Sequence, residues 1–270
     1  MKKILIIIIL LSLVTSASAS NLDYDYKQYK GLIESEMDKV QIQKSDKHPV
    51  AGVTSHHLPT AAPLIARFYA ELKKRRPDIK RFVVIGPDHF EKCRKNFSQK
   101  KNKLQTAFGD VKADDNIVLA LEKMGANTDD KCFYNEHAIG VQANFIKKYF
   151  PDATLNSVIL SNSARSRNFM ELQKYLAKNQ DIFLVLSLDF SHYQTKKVAD
   201  KIDTQTKKKM EKLDSRGLGL ENVDSPGGLK LILDYAKQNK LKSEIFLHKN
   251  SAEYDGDRNY TTSYFDVFFN

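Results

Sequence analysis

Residues 181–192 read Asp181-Ile-Phe-Leu-Val-Leu-Ser-Leu-Asp-Phe-Ser-His192. The stretch from Asp181 to Leu186 is the most apolar strand pattern in the chain, and it runs directly into a carboxylate and an imidazole. Working outward, Thr154 to Leu160 predicts a strand and Asn168 to Lys178 a helix, closing a strand–helix–strand unit on the central run. Upstream, Arg81 to Ile85 is another buried-type strand, ended by Gly86-Pro87. Val50 to Thr54 is a short one, followed by His56-His57 and a helical stretch from Ala61 to Lys74. Between these units lie a hairpin-like excursion from Leu104 to Val111 and helices at Asp115 to Met124 and His137 to Tyr149. Downstream come helices at Lys196 to Leu213 and Gly228 to Gln238, then strand-like Ser243 to His248 and Thr261 to Phe269. Strands alternating with helices predict an α/β fold, with a largely parallel sheet flanked by helices on both faces. In such sheets ligands gather at the carboxyl ends of the strands, so the residues just past each strand matter most.

At 270 residues the chain is long enough to bury a core without disulfide staples. The first residues stand apart from that core. Lys2 and Lys3 precede an apolar run from Ile4 to Val14, and Ala17-Ser18-Ala19 follows as a small-residue cleavage signal. The apolar run is short for a membrane span. Residues 1–19 therefore read as a signal peptide, with residues 20–270 as one α/β domain that opens on a polar helix at about 22–45. The expectation is an exported protein, periplasmic or secreted, with no stable membrane span after cleavage. The formal charge of +10 is spread over runs such as Lys73-Lys74-Arg75-Arg76 and Lys207-Lys208-Lys209, beside predicted helices. No aromatic-and-glycine RNA motif accompanies it, so nucleic acid is not an expected partner. The two cysteines, Cys93 and Cys132, cannot form a structural zinc site alone, but outside the cytoplasm they can pair.

Three strands run into histidines, at His56-His57, at His89 and at His192. Imidazoles on one rim of one sheet can converge on a point, and imidazole binds iron, copper and zinc alike. In Asp189-Phe-Ser-His192 the carboxylate and imidazole would share a face if the backbone turned into a helix there. A carboxylate beside an imidazole suits a metal ligand or a general base. Glu136-His137 opens a helix, where a carboxylate also favours the N-terminal dipole. The segment Asn250 to Arg258 has the composition of a surface turn.

Taken together these segments resemble the Memo-like family, which includes the bacterial AmmeMemoRadiSam system protein B and shares the fold of class III extradiol dioxygenases. The resemblance is carried by Gly52-Val-Thr-Ser-His-His-Leu58, Val84-Ile-Gly-Pro-Asp-His89, Thr106-Ala-Phe-Gly-Asp-Val111, Glu136-His-Ala-Ile139, Ser187-Leu-Asp-Phe-Ser-His-Tyr193 and Asn250-Ser-Ala-Glu253 with Gly256-Asp-Arg258. These occur in the family's order. The resemblance implies a metal site built from His56, His89 and His192, with Asp189 beside it. By analogy with the dioxygenases, where two histidines and a glutamate hold Fe(II), it implies Glu253 as the carboxylate ligand and leaves His192 with Asp189 for acid–base work. His57, Asp88, Glu136 and His137 are then the substrate-facing or supporting residues. Fe(II) or copper is implied ahead of zinc, with a small-molecule substrate of unspecified structure.

The chain also departs from the family pattern. After Glu-His the family usually carries a further Glu and His, where this chain has Gly140 and Gln142. Asn144 stands where Pro is usual, and Ser55 stands for another Pro. Two functions fit these residues, a metal-dependent oxidoreductase resembling the dioxygenases and a metal-binding protein without turnover. A metal-free structural descendant of the family is the third.

Overall fold

The computed structural model describes residues 26–42, 45–161 and 166–270, so the export signal read at 1–19 lies outside the described residues. A 3-10 turn at Tyr26–Tyr29 leads into α1 (Lys30–Asp38), then β1 (Ala51–Thr54), α2 (Ala62–Arg75), β2 (Arg81–Pro87) and β3 (Phe97–Lys100). A hairpin of β4 (Leu104–Thr106) and β5 (Gly109–Val111) precedes α3 (Asp115–Lys123), β6 (Asn127–Thr128) and α4 (His137–Tyr149). The chain continues through β7 (Thr154–Leu160), α5 (Ser166–Lys178), β8 (Ile182–Ser187), β9 (His192–Gln194) and α6 (Lys196–Glu211). It closes on α7 (Pro226–Gln238), β10 (Ser243–Asn250) and β11 (Thr261–Phe269).

The main sheet has nine strands in the order β10-β11-β1-β8-β2-β7-β3-β6, with β9 pairing on β11. Its centre, β1-β8-β2-β7, is parallel throughout. The sheet becomes mixed towards its margins, where β11 joins β1 and β3 joins β7 antiparallel. Alternation along β2 shows why both faces are covered, since successive side chains of a strand point to opposite sides. Phe82 and Val84 pack in the core that holds Leu64, Phe68 and Leu72 of α2 and Ile139 and Phe145 of α4. Val83 and Ile85 join Ile117 and Leu121 of α3, Leu172 of α5 and Leu229 and Ile232 of α7. Each such fully buried side chain contributes roughly 1.5–3 kcal/mol. That two-sided burial is why the strands read as unbroken apolar runs rather than alternating ones.

Topology then sets the site. The connection from β1 through α2 to β2 leaves a gap between the two strands that β8 fills. Thr54 pairs with Ser187, and Leu186 with Ile85, so the three strands end level. His56, Asp189 and His89 each follow two residues beyond their strand, on one rim.

Two local expectations change. The N-terminal helix is shorter than 22–45: it ends at Asp38, with Lys39 as its C-cap. Beyond Met37 the apolar residues Val40 and Ile42 alternate instead of recurring every three or four positions, and Ile42 is exposed. β3 was not expected, because Ser98, Gln99 and Lys100 carry no apolar pattern although all three are buried. It is a strand through its neighbours, β7 on one side and β6 on the other.

Candidate metal centre

His56, His89 and His137 form the centre. Each offers a ring nitrogen, and the three atoms lie within 4.8 Å of one another. The His56 ring stands edge-on to the other two, with centroids 4.9 Å from His89 and 5.1 Å from His137, while His89 and His137 stack at 4.3 Å. His56 is buried at the floor, and the other two side chains are 23% and 36% exposed, so the group opens towards solvent. Beside it lies an open cleft lined by Tyr26, Tyr29, His56, His57, Leu58, His137 and Val141.

Two of the rings, His89 and His56, are held from behind. Glu136 caps α4 by accepting the Ala138 amide at 3.0 Å, and the same oxygen, Oε1, takes His89 Nδ1 at 2.8 Å. Its other oxygen accepts the His89 backbone amide at 3.0 Å. This fixes the His89 ring with Nε2 turned to the centre, as a carboxylate behind a histidine ligand does. At His56, Nδ1 meets Ser187 Oγ at 3.1 Å, and Ser187 is itself held by Gln142 Nε2 at 2.9 Å. Gln142 also donates to the Ser55 carbonyl at 2.7 Å and accepts from Tyr69 Oη at 2.9 Å. Asp189 accepts from Ser55 Oγ and from the His56 amide, pinning the backbone at the floor. His56 Nε2 is left buried with no hydrogen-bond partner among the described residues. A cation held by the three rings would satisfy it, and neutral imidazole is a ligand that iron, copper and zinc all accept, so the residues present fit a metal.

The charges are unequal. Burial opposes a charged ring at His56, but the Asp189 and Asp224 carboxylates outweigh it and hold its pKa above the ordinary histidine value. Burial also opposes charge at His89, where Asp224 and Glu136 raise the pKa to about 10. His137 goes the other way: burial, then the charges of His56 and His89, push it down to about 4. Asp224 remains ionised despite its burial, because His56 and His89 hold its pKa well below the carboxylate range.

The residues singled out in the sequence fall into two groups. His56, His89, His137, Glu136 and Asp189 come together. His192 and Glu253, expected as ligands, stand outside the three-ring group. After Asp189 the chain enters no helix; Phe190 donates its amide to the Ser263 carbonyl and Ser263 returns one to Ser191, so the backbone runs on as β9. His192 therefore does not share a helical face with Asp189, and its ring packs against that of Tyr193, at 5.5 Å. Glu253 closes a capping box with Asn250 and pairs with Lys249 at 2.7 Å, which occupies both its oxygens. Asp88 faces away from the cluster, accepting the Lys92 and Cys93 amides in the loop after His89. His57 binds Tyr264 Oη through Nδ1 at 2.7 Å, and burial lowers its pKa, with Asp189 opposing. Cys93 and Cys132 are joined in a disulfide, Cα to Cα 4.6 Å, tying the loop that follows His89 to the turn that precedes His137.

Three positions that depart from the family pattern have local partners. Gln142 belongs to the His56 support just described. Asn144 accepts the Ala107 amide and donates to the Gly140 carbonyl, holding the β4–β5 hairpin against α4. A side chain at Gly140 would collide with the ring and hydroxyl of Tyr26. Asp224 was missed: it lies in Asn222-Val-Asp-Ser-Pro-Gly-Gly228, whose composition signals only a loop.

The chain is similar to several known proteins. The sequence model of the Memo-like protein family matches residues 24–267. A MEMO1 family protein of Sulfurisphaera tokodaii is 26% identical over 249 residues, 86% of each chain. One of Saccharolobus islandicus is 26% identical over 216 residues, 75% of each. The crystal structure of an uncharacterized protein from Escherichia coli K12 superposes with a TM-score of 0.52 over 82% of this chain and 99% of that one. At 14% identity that likeness speaks for the fold alone. With the family's sequence model covering nearly all of the described residues, the chain belongs to the Memo-like protein family.

Proposed function

We propose that this chain is an exported transition-metal protein whose centre is held by His56, His89 and His137 and takes Fe(II) or copper ahead of zinc. The observation that carries the reading is the convergence of three ring nitrogens within 4.8 Å, one of them buried and unpartnered. When bound, such an ion supplies one-electron redox chemistry and polarises whatever small molecule shares its coordination sphere. The neighbouring cleft admits that molecule beside His56 and His137, which supports an oxidoreductase resembling the dioxygenases over a closed storage site. Glu136 and Ser187 keep the rings aimed. Burial, and then neighbouring charges that include His192, lower the pKa of His57, whose ring lines the cleft as a neutral group available to take up a proton there. The export signal at residues 1–19 and the two-cysteine content support a periplasmic or secreted location, with residues 20–270 as the mature domain. Among the described residues no helix is long and apolar enough to cross a membrane.

Metal analysis of the protein purified from its own compartment tests the reading. About one ion per chain is expected, with His56→Ala and His89→Ala each weakening uptake by at least about 100-fold, the upper end for loss of a supporting group. Full occupancy in the His56→Ala/His89→Ala double variant would sink it.

A further inference from the structure

Glu253, the carboxylate that the family resemblance offers to the centre, is engaged in its own turn. Another carboxylate stands against two of the rings, His56 and His89. Asp224 Oδ2 is 3.2 Å from His56 Nε2 and 3.6 Å from His89 Nε2, and its side chain is only 9% exposed. The position is rigid. The Asp224 amide donates to the Asp189 carbonyl at 2.9 Å, the Asp189 amide returns to Asp224 Oδ2 at 3.1 Å, and Val223 bridges Phe190. On the other side Ser225 caps α7 by accepting the Gly228 amide at 3.2 Å. The loop after α6 is thereby fastened to the segment following β8, and Asp224 is presented to the rings.

Its second oxygen, Oδ1, is buried and has no hydrogen-bond partner among the described residues. An ionised carboxylate normally fills several acceptor sites, so one buried with an empty oxygen is costly. His56 Nε2 has the same defect in the same place, and the two groups are near enough for an ion pair but not aligned as a hydrogen bond. Charge points the same way. Three neutral imidazoles leave the full double charge of a divalent ion in a half-buried site, and an anionic donor offsets part of it.

Resting on the metal-centre reading above, we propose that Asp224 is the carboxylate ligand of this centre, completing with His56, His89 and His137 a mixed imidazole–carboxylate site for a divalent transition-metal ion. A hard oxygen donor among the imidazoles favours Fe(II) over Cu(I), so Asp224 also sets metal preference. Asp189, whose Oδ1 is already taken by Ser55 and the His56 amide, holds the floor in place.

Chelator-stripped mature protein titrated with Co(II) tests this directly. Wild type should bind about one ion with visible ligand-field absorption. Asp224→Asn should lose at least about 100-fold in affinity. Asp224→Cys should gain a near-ultraviolet thiolate-to-Co(II) charge-transfer band, since Cys93 and Cys132 are paired with each other and contribute no thiolate. Circular dichroism melting of the stripped forms checks folding, and if Asp224→Asn does not fold, the Asp224→Cys spectrum decides. Wild-type affinity and spectrum in Asp224→Asn would overturn the proposal. So would reduced affinity without the charge-transfer band in Asp224→Cys, because Asp224 would then act from outside the coordination sphere. If wild type takes up no Co(II), the metal reading itself fails.

Discussion

Gln142 satisfies three partners at once, the Ser187 hydroxyl, the Ser55 carbonyl and the Tyr69 hydroxyl, and through Ser187 it aims the His56 ring. Gln142→Leu would keep the volume and remove all three bonds. We expect a loss of about 1–3 kcal/mol in stability and a 10–100-fold loss in metal affinity, read by denaturant melts and by competition with a chromogenic chelator. Asp266 poses the opposite case. It is fully buried, accepts one hydrogen bond, from Thr54 at 2.7 Å, and burial raises its pKa well above 3.8. The folded state therefore prefers the neutral acid, so its contribution is most favourable below about pH 4 and declines as pH rises towards the folded value. Asp266→Asn should raise Tm by a few degrees at pH 8, on the scale of about 1 kcal/mol in a chain this long, and the gain should vanish near pH 3. An unchanged Tm at pH 8 would show that Asp266 carries no such penalty. At this scale His56 and His89 were legible, because each follows an apolar strand within two residues. His137 announced itself only as a helix start. Asp224 left no mark, since what brings it to the rings is a β-bridge between loops distant in sequence.

At the level of elements, α4 couples the centre to the N-terminal segment. Glycine inside a helix costs about 1 kcal/mol relative to alanine, yet Gly140 stands in the first turn of α4, with Tyr26 packed against it. The Tyr26 hydroxyl reaches the His137 carbonyl at 3.4 Å, and Tyr26 and Tyr29 wall the cleft. The chain contains no tryptophan, so Tyr26→Trp creates a single reporter. Its emission should be blue-shifted in the folded protein, and adding Gly140→Ala should shift it to the red as the ring is displaced. Identical spectra would show that Tyr26 does not depend on the glycine. The central strands and most helices were legible because burial on both faces writes itself as apolar runs. β3 and β9 were not, because pairing near the margins of the sheet runs through backbone groups and leaves no pattern in the side chains.

Across the whole molecule the Cys93–Cys132 bond closes a loop spanning 39 positions, for which the chain-entropy account gives about 4 kcal/mol. Cys93→Ser/Cys132→Ser should melt lower by that order, and the same loss should follow reduction of the wild type. A melt indifferent to reductant would refute it. Both sulfurs sit beside segments that deliver ring ligands, His89 on one side and His137 on the other. On the proposed export, with a mature N-terminus at Ser20, this bond would close only on arrival, since the compartment of synthesis keeps thiols reduced. Until then the two imidazoles would lack their shared tether, and ions met during synthesis would find a looser site. The choice of metal would then be made by geography: whichever ion is on hand where the last covalent bond forms is the one the protein keeps.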